Sequence, residues 1–129
     1  MNTITRVAVA VAAVAVPAVL LSAPAGAAPK GDGVTPQHWA CGSGTPPNHD
    51  PISGITGANA GARIRTGSST SCTALGSSQP SDRLDYYCYT RENGTNATWT
   101  YLRNGRTGVR GWTRDDQLPG GGSNYFCGS

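Results

Sequence analysis

The sequence predicts a small all-β fold, and three observations lead to that prediction. Five short segments alternate apolar or aromatic residues with polar ones, and clusters of Gly, Ser, Asn and Pro separate them. No segment keeps a helical period over even two turns. Four cysteines in a chain of 129 residues favour a disulfide framework. Together these features are typical of a compact five-stranded barrel.

The first 27 residues have the features of a secretory signal peptide. Arg6 precedes an apolar run, Val7–Leu21, and small residues ending in Ala25-Gly26-Ala27 form a cleavage site. The run is too short for a typical transmembrane helix, although an uncleaved anchor is the alternative interpretation. We therefore expect a secreted product, extracellular or associated with the cell wall, that makes no membrane contact after cleavage.

Composition divides the remaining chain into three parts. Residues 28–54 are rich in Pro, Gly, Asn and Ser, and they predict an irregular N-terminal strap that Trp39 and Cys41 pin to the domain. Residues 55–119 contain every strand-like segment. Residues 120–129 form a Gly-rich tail that contains Cys127. The sequence therefore predicts one domain with an extension at each end.

The charge balance argues against nucleic acid as a partner. Without Arg6, nine basic and seven acidic side chains leave a net charge of +2, and the basic residues are scattered. Nucleic-acid binding usually needs a dense basic stripe on one face or helix. We therefore expect no nucleic-acid partner.

The cysteine pattern favours two disulfides over a metal site. An even number of cysteines in a small exported domain is typical of a disulfide framework, and no C-x₂₋₄-C pair typical of zinc ligands occurs. Three connectivities are possible. We favour Cys72–Cys88 together with Cys41–Cys127, and the other two connectivities stay open.

The alternation of residues predicts strands in the first half of the domain. Gly61–Thr66 alternates small or apolar residues with charged ones, and Cys72–Leu75 forms a second strand that Gly76 ends. Arg83–Thr90 is the most regular segment. Its period of two places Leu84, Tyr86 and Cys88 on the inner face, and Tyr87 and Tyr89 on the outer face.

The stretch Trp99–Leu118 predicts a hairpin followed by a polar turn. Its strands are Trp99–Arg103 and Arg110–Thr113, and Asn104-Gly105 favours a tight reversal because both residues tolerate positive φ. The polar half-turn Arg114–Asp116 follows the second strand. We expect Trp112 to pack inside, against Ile64, Leu75 and Leu102.

Six motifs follow one another along the domain. They are Ile64–Thr70 (IRTGSST), Leu75-Gly76, the apolar strand Leu84–Tyr89, Trp99–Leu102, Gly111-Trp112-Thr113 and Asp115–Leu118 (DDQL). With this order and spacing of motifs, the range Ile55–Leu118, about 64 residues, resembles the bacterial SH3 (Src-homology-3-type) domain.

The resemblance implies an SH3-like barrel that binds the cell wall without catalysis. The chain looks like the cysteine-containing form of the domain found in small exported bacterial proteins. That form has Ser-Cys-Thr and Tyr-Cys-Tyr at the places of Cys72 and Cys88. That likeness strengthens the pairing of these two cysteines. The chain departs from the family in lacking the glycine before the central strand. Gln117 also replaces a tyrosine that helps line the proline-peptide groove of eukaryotic relatives, so we do not expect that binding mode.

Outward-facing aromatic residues are the candidate ligand site. Tyr87 and Tyr89 point outward by alternation, and Trp99 and Tyr101 share one face of the next strand. They predict a flat platform for an extended peptide or a glycan. Arg65, like Arg63, Arg103 and Arg114, is a candidate to bind carboxylates at its rim, and the alternative is that these arginines only keep the domain soluble. The alternative is that the strap, especially Trp39, packs over the platform and closes it.

The sequence contains no recognisable catalytic or metal-binding constellation. Asp115 and Asp116 are neighbours on a predicted turn, whereas glycosidase carboxylates lie opposed across a sugar. His38, His49 and Asp50 form a weak metal pattern, and we interpret them as part of a solvated loop. We therefore expect no enzyme activity, no cofactor and no metal.

Two functions are consistent with these features. We expect an exported, non-catalytic module that binds cell-wall peptidoglycan or its peptides. The alternative is a small disulfide-stapled inhibitor or effector that acts on another exported protein. The inhibitor would present a rigid loop, for which Arg91–Ala97 beside Cys88 is the candidate.

Overall fold

The computed structural model describes residues 38–128, so the predicted signal peptide and residues 28–37 of the strap lie outside the described residues. Between residues 38 and 128, no helix is long and apolar enough to cross a membrane. The strands are β1 (Ala62–Arg65), β2 (Ala74–Ser78), β3 (Leu84–Arg91), β4 (Thr98–Asn104) and β5 (Arg110–Arg114), and two 3-10 turns follow at Asp115–Gln117 and Pro119–Gly121.

All five strands join one antiparallel sheet in the order β2-β1-β5-β4-β3. The predicted all-β class is therefore confirmed, with five strands and two disulfides. In the hydrogen-bond pattern β2 and β3 are the two edges, so the sheet is open and barrel closure stays a prediction.

The second strand begins two residues later than predicted and continues through Gly76. Cys72 belongs to a tight turn in which its N–H donates to Ser69 O (3.1 Å), and its sulfur is bonded to Cys41. Pairing with β1 therefore begins only at Ala74. The prediction that Gly76 ends this strand is wrong.

The turn between β4 and β5 is longer than a two-residue reversal. Neither Asn104 nor Gly105 has positive φ, and the positive value of 72° falls at Gly108. The Asn104 side chain organises the turn instead, because its Oδ1 accepts hydrogen bonds from the N–H groups of Arg106 (2.9 Å) and Thr107 (3.3 Å).

A β-bulge in β3 changes which face each later residue occupies. Tyr86 pairs with Leu102, but Cys88 pairs with Tyr101, so the register shifts by one residue between them. Because neighbouring residues of β4 face opposite sides, Cys88 leaves the face of Leu84 and Tyr86. The prediction that Cys88 faces inward with those two residues is wrong.

The inner face of the sheet carries an apolar core formed mostly by the strands. Ile64, Leu84 and Leu102 are fully buried there. Ala58, Ala62, Tyr86 and Leu118 complete this inner core. Leu118 follows the first 3-10 turn directly, so that turn returns the chain to the core.

The outer face carries a second buried cluster. It consists of Cys88, Trp99, Tyr101, Trp112 and Cys127, with Trp39 packed against it. Trp112 is therefore buried as predicted, but its predicted partners are wrong. Ile64 and Leu102 belong to the inner core, and Leu75 is 51% exposed.

The strap covers part of the outer face. Trp39 packs on Trp112 with ring centroids 5.6 Å apart. Ser68 N donates to Trp39 O (2.9 Å). The approach is close enough to require a glycine, because a Cβ at Gly67 would lie 2.7 Å from Cys41 N. The strap is thus a packed layer of the fold in this region.

The tail covers the edge of β3. Tyr89 N donates to Tyr125 O (2.7 Å), and Cys127 N donates to Tyr89 O (2.9 Å), in a short parallel bridge. Farther up the tail, Ser123 N donates to Thr100 Oγ1 (2.8 Å). The tail therefore acts as a short extra strand beside β3.

The disulfides pair Cys41 with Cys72 and Cys88 with Cys127. All four cysteines are bonded as predicted, but the favoured connectivity is wrong. The bulge moves Cys88 to the outer face, where Cys127 of the tail lies, while Cys72 remains at the turn before β2. Each disulfide therefore staples one extension to the domain. Two disulfides indicate an oxidising, non-cytoplasmic environment.

A buried carboxylate holds the turn before β3 to the β4–β5 turn. Asp82 is buried, and it accepts hydrogen bonds from Arg106 Nη2 (3.0 Å), Asn104 Nδ2 (2.8 Å) and Gln79 N (2.9 Å). The pKa of Asp82 is held well below its usual range, chiefly by the hydrogen bond from the Arg106 guanidinium. The hydrogen bonds from Asn104 and Gln79 lower it further. Asp82 therefore contributes to the fold in its ionised form.

Candidate functional site

The four aromatic side chains of the predicted platform do not form an exposed surface. Tyr89, Trp99 and Tyr101 are 4%, 1% and 5% exposed, and Tyr87 is half-buried. The prediction that they face outward into solvent as a flat platform is wrong.

Both extensions cover these rings. Tyr101 packs between Tyr87 (5.3 Å) and Trp112 (5.4 Å), and its hydroxyl is 3.0 Å from Thr45 Oγ1 of the strap. Tyr89 pairs with Thr100 and therefore lies on the opposite face after the bulge, where Phe126 of the tail packs edge-on against it with centroids 5.7 Å apart. The alternative prediction, in which the strap packs over the platform, describes the structure, with the tail as a second cover.

A different cleft remains open on the same side of the sheet, and we name it the arginine cleft. It has a volume of about 240 Å³ and lies between β1, the end of β5 and the first 3-10 turn. Three of the arginines that the sequence placed at the rim of the platform line it, Arg65 among them. Its lining residues are Gly61, Ala62, Arg63, Arg65, Thr70, Trp99, Arg114, Asp116 and Gln117.

Strand geometry brings these arginines together. In β1 the alternation buries Ala62 and Ile64, which turns Arg63 and Arg65 to the outer face. Arg65 pairs with Trp112 of the antiparallel β5. Two residues farther along β5, Arg114 therefore lies opposite Arg63. Two arginines come from one strand and one from its neighbour, without any sequence motif that joins them.

The arginine cleft has an excess of positive charge. Arg114 Nε lies 3.3 Å from Asp116 Oδ2, and Arg65 Nη1 donates to Cys72 O (3.0 Å). Arg63 has no side-chain partner among residues 38–128, so its planar donors are available to a ligand. Guanidinium groups match carboxylates in charge and in bidentate geometry. The cleft is therefore suited to a ligand that carries a carboxylate.

An unsatisfied donor lies in the wall of the arginine cleft. Trp99 lines the cleft, and its indole Nε1 is buried without a hydrogen-bond partner among the residues that the structure describes. A buried donor left unpaired costs about 1–3 kcal/mol. Trp112 Nε1 is also unpaired, but Trp112 lies under Trp39 rather than in the cleft wall. The cleft thus combines cationic side chains with an indole N–H that lacks an acceptor.

A second, smaller pocket adjoins the strap, and we name it the strap pocket. It has a volume of about 230 Å³. Arg65 lines both this pocket and the arginine cleft. The strap pocket also contains the exposed side chain of Leu75 and the guanidinium of Arg110. Its lining residues are Gly42, Gly44, Thr45, Arg65, Thr66, Leu75, Tyr101, Arg110 and Gly111.

Two of the three residues of the weak metal pattern, His38 and Asp50, have side-chain hydrogen-bond partners, whereas His49 is exposed. His38 Nδ1 lies 2.9 Å from Ser68 Oγ. Asp50 is buried rather than solvated, and it accepts hydrogen bonds from Ile52 N (2.9 Å) and Ser123 Oγ (2.7 Å). Across residues 38–128 no group of three or more His, Cys, Asp or Glu side chains could hold a metal ion.

Sequence reasoning proposed the arginines of the cleft but grouped them with the wrong neighbours. Arg63, Arg65 and Arg114 were expected at the rim of the platform together with Arg103, which instead faces Asp85 at 3.7 Å. The role of Trp99 as a cleft wall was missed. Trp99 reaches the cleft because it pairs with Arg114, and this pairing is known only from the strand register.

Comparison of this chain with family models, characterised proteins and solved structures finds no match. The resemblance to bacterial SH3 domains therefore rests on the motifs of the sequence.

Proposed function

We propose that this chain is an exported, non-catalytic binding module of the bacterial SH3 type, and that it binds cell-wall peptidoglycan through the acidic groups of its peptides. The arginine cleft, rather than the aromatic platform, is the binding site. The proposed function requires no ligand or cofactor other than the wall peptide.

The order of elements supports the family. Five strands lead into a 3-10 turn, Asp115–Gln117, after which Leu118 enters the inner core. The sequence motifs that resemble the family lie on these elements, with Gly111 and Trp112 in β5. An SH3-like barrel is part of this proposal, because the five-stranded sheet and the motif order are those the family uses.

The composition of the arginine cleft is the observation that carries the proposed ligand. Three guanidinium groups face one carboxylate there, and that carboxylate already pairs with Arg114. A peptide carboxylate would satisfy Arg63, and the Trp99 side chain in the cleft wall would contact the peptide. Peptidoglycan peptides offer carboxylates, and an exported protein meets them outside the membrane.

A co-sedimentation assay with purified, insoluble wall sacculi tests this proposal. The mature protein is expected in the pellet at low salt. Arg63→Gln is expected to weaken binding about tenfold, since one lost charge-assisted contact corresponds to about 1.4 kcal/mol. Arg83→Gln is the matched control, because Arg83 is also exposed and lines neither pocket.

The proposal fails if the mature protein stays in the supernatant at low and moderate salt. It also fails in its choice of site if Arg63→Gln and Arg83→Gln bind sacculi equally well.

A second candidate, an inhibitor or effector of another protein, is favoured by the loop between β3 and β4. Residues 93–96 are exposed, and the loop is closed by hydrogen bonds from Glu92 N to Ala97 O (2.9 Å) and from Thr95 Oγ1 to Glu92 Oε2 (2.9 Å). Limited proteolysis tests this candidate. Protection of the loop on adding proteins of the culture medium supports it, and unchanged cleavage counts against it.

A further inference from the structure

The arginine cleft and the strap pocket are neighbours that share Arg65. Both are open, and because Arg65 lines each of them we treat them together as one arginine-lined path beside the strap. Four arginines lie along it: Arg63 and Arg65 on β1, and Arg110 and Arg114 on β5.

The two ends of this path have different charge environments. At the cleft end, Asp116 partly neutralises Arg114. At the other end no acidic side chain lines the strap pocket, and Arg110 has no side-chain partner among residues 38–128. A cation that lacks a counter-charge therefore remains at each end, Arg63 at one and Arg110 at the other.

Strand geometry sets the separation between the ends. Arg110 and Arg114 are four residues apart on β5, which corresponds to about 13 Å at roughly 3.3 Å per residue. An extended peptide covers a similar distance in about four residues. A ligand that reaches both ends therefore carries two acidic groups separated by several residues.

We propose that the arginine cleft and the strap pocket form one groove with two carboxylate subsites, which selects wall peptides whose carboxylates are free over peptides whose carboxylates are amidated or cross-linked. This inference rests on the proposed function. Arg63 and Arg114 form the first subsite and Arg110 forms the second, with Arg65 between them.

Peptide chemistry fits the rest of the groove better than a phosphate polymer does. Asp116 and Gln117 border the first subsite, where a peptide N–H would donate to the carboxylate and amide oxygens. The exposed Leu75 beside the second subsite would contact an aliphatic side chain. A phosphodiester chain offers neither N–H donors nor such side chains.

Titration calorimetry with synthetic wall peptides tests the selectivity. The probes are a tetrapeptide with two free carboxylates, the two singly amidated forms and the doubly amidated form. Each amidation is expected to raise Kd at least fivefold, and the doubly amidated form is expected to bind more weakly than either single form.

Two variants assign the subsites. Arg63→Gln is expected to abolish the effect of amidating one carboxylate, and Arg110→Gln the effect of amidating the other. Arg83→Gln, the exposed control, is expected to keep the full preference. Thermal unfolding of each variant checks that the fold is intact.

Equal affinity for the acid and amide peptides overturns the two-subsite groove, and so does an Arg110→Gln variant that binds like wild type. In either case, retained sedimentation with sacculi shows that the proposed function survives the loss of this inference. Loss of sedimentation by the wild-type protein removes both. Displacement from the wall by isolated teichoic acid, but not by the acid peptide, also overturns the inference.

Discussion

The two faces of the sheet are both buried, but by different means. The inner core is formed mostly by strand residues such as Ile64 and Leu102. The outer cluster is closed by two segments without regular structure, the strap through Trp39 and the tail through Cys127. Each of these segments is held by one disulfide. The inner face thus depends on hydrophobic alternation, while the outer face depends on covalent staples.

This contrast explains why the open arginines lie where they do. The strap and the tail cover the aromatic centre of the outer face. The arginines of β1 and β5 are left uncovered beside the strap. The strap and the tail therefore bury the aromatic residues, and the strap also forms one wall of the strap pocket.

The largest effect is expected from a cavity in the inner core. Leu102→Ala should lower the free energy of unfolding by about 2–5 kcal/mol, because Leu102 is fully buried and the strands around it cannot close the space. Urea denaturation measures this change. Leu75→Ala is the matched control, with an expected change within about 0.5 kcal/mol at an exposed position.

If Leu102→Ala costs less than the Leu75 control, the inner face is not the stabilising core of the domain.

A somewhat smaller effect is expected when the tail loses its staple. The double variant Cys88→Ser/Cys127→Ser should lose about 2–4 kcal/mol, since the disulfide closes a loop between cysteines 39 positions apart. Hydrogen exchange should show faster exchange at Tyr89 N, which bonds to Tyr125 O, while Leu102 N in the centre of the sheet stays protected.

Uniform loss of protection at both amides would mean that the tail is not a separable cover. The corresponding variant of the strap disulfide, Cys41→Ser/Cys72→Ser, should instead leave Tyr89 N protected, because this disulfide lies at the turn before β2, at the opposite edge of the sheet from β3.

The smallest effect is a change in pH dependence. The pKa of Asp82 is lowered in the folded state, chiefly by Arg106, so its contribution to stability is present above the unfolded pKa of about 4 and is lost as pH falls below it. Between about pH 6 and about pH 3, wild-type Tm should therefore fall more steeply than the Tm of Asp82→Asn. Thermal unfolding monitored by circular dichroism across this range checks the difference. Parallel curves would show that Asp82 does not titrate with folding.

The inner face was predictable, whereas the outer face was not. The period of two in Arg83–Thr90 identified β3, and the apolar positions of β1 and β4 identified their strands. The bulge at Tyr86–Cys88 has no signal in the sequence, yet it moves Cys88 to the other face and so decides the disulfide pairing. One extra residue in a strand thus overturned both the facing of Cys88 and its partner.

The candidate site was predictable only in part for a related reason. Alternation along β1 correctly turns Arg63 and Arg65 outward. Alternation cannot reveal that an irregular segment covers a face, and the strap has no period from which its path could be read. The aromatic residues were therefore assigned to a ligand, although Trp39 and Phe126 already occupy their surface.

The indole resonances of the three tryptophans provide the most direct test of the site. In the ¹⁵N-labelled mature protein, adding a wall peptide with free carboxylates should shift the Nε1–H signal of Trp99, which lines the arginine cleft without an acceptor. The signals of Trp112 and of Trp39, the strap residue that packs on it, should stay in place. Shifts at Trp39 and Trp112 with no change at Trp99 would contradict binding in the arginine cleft.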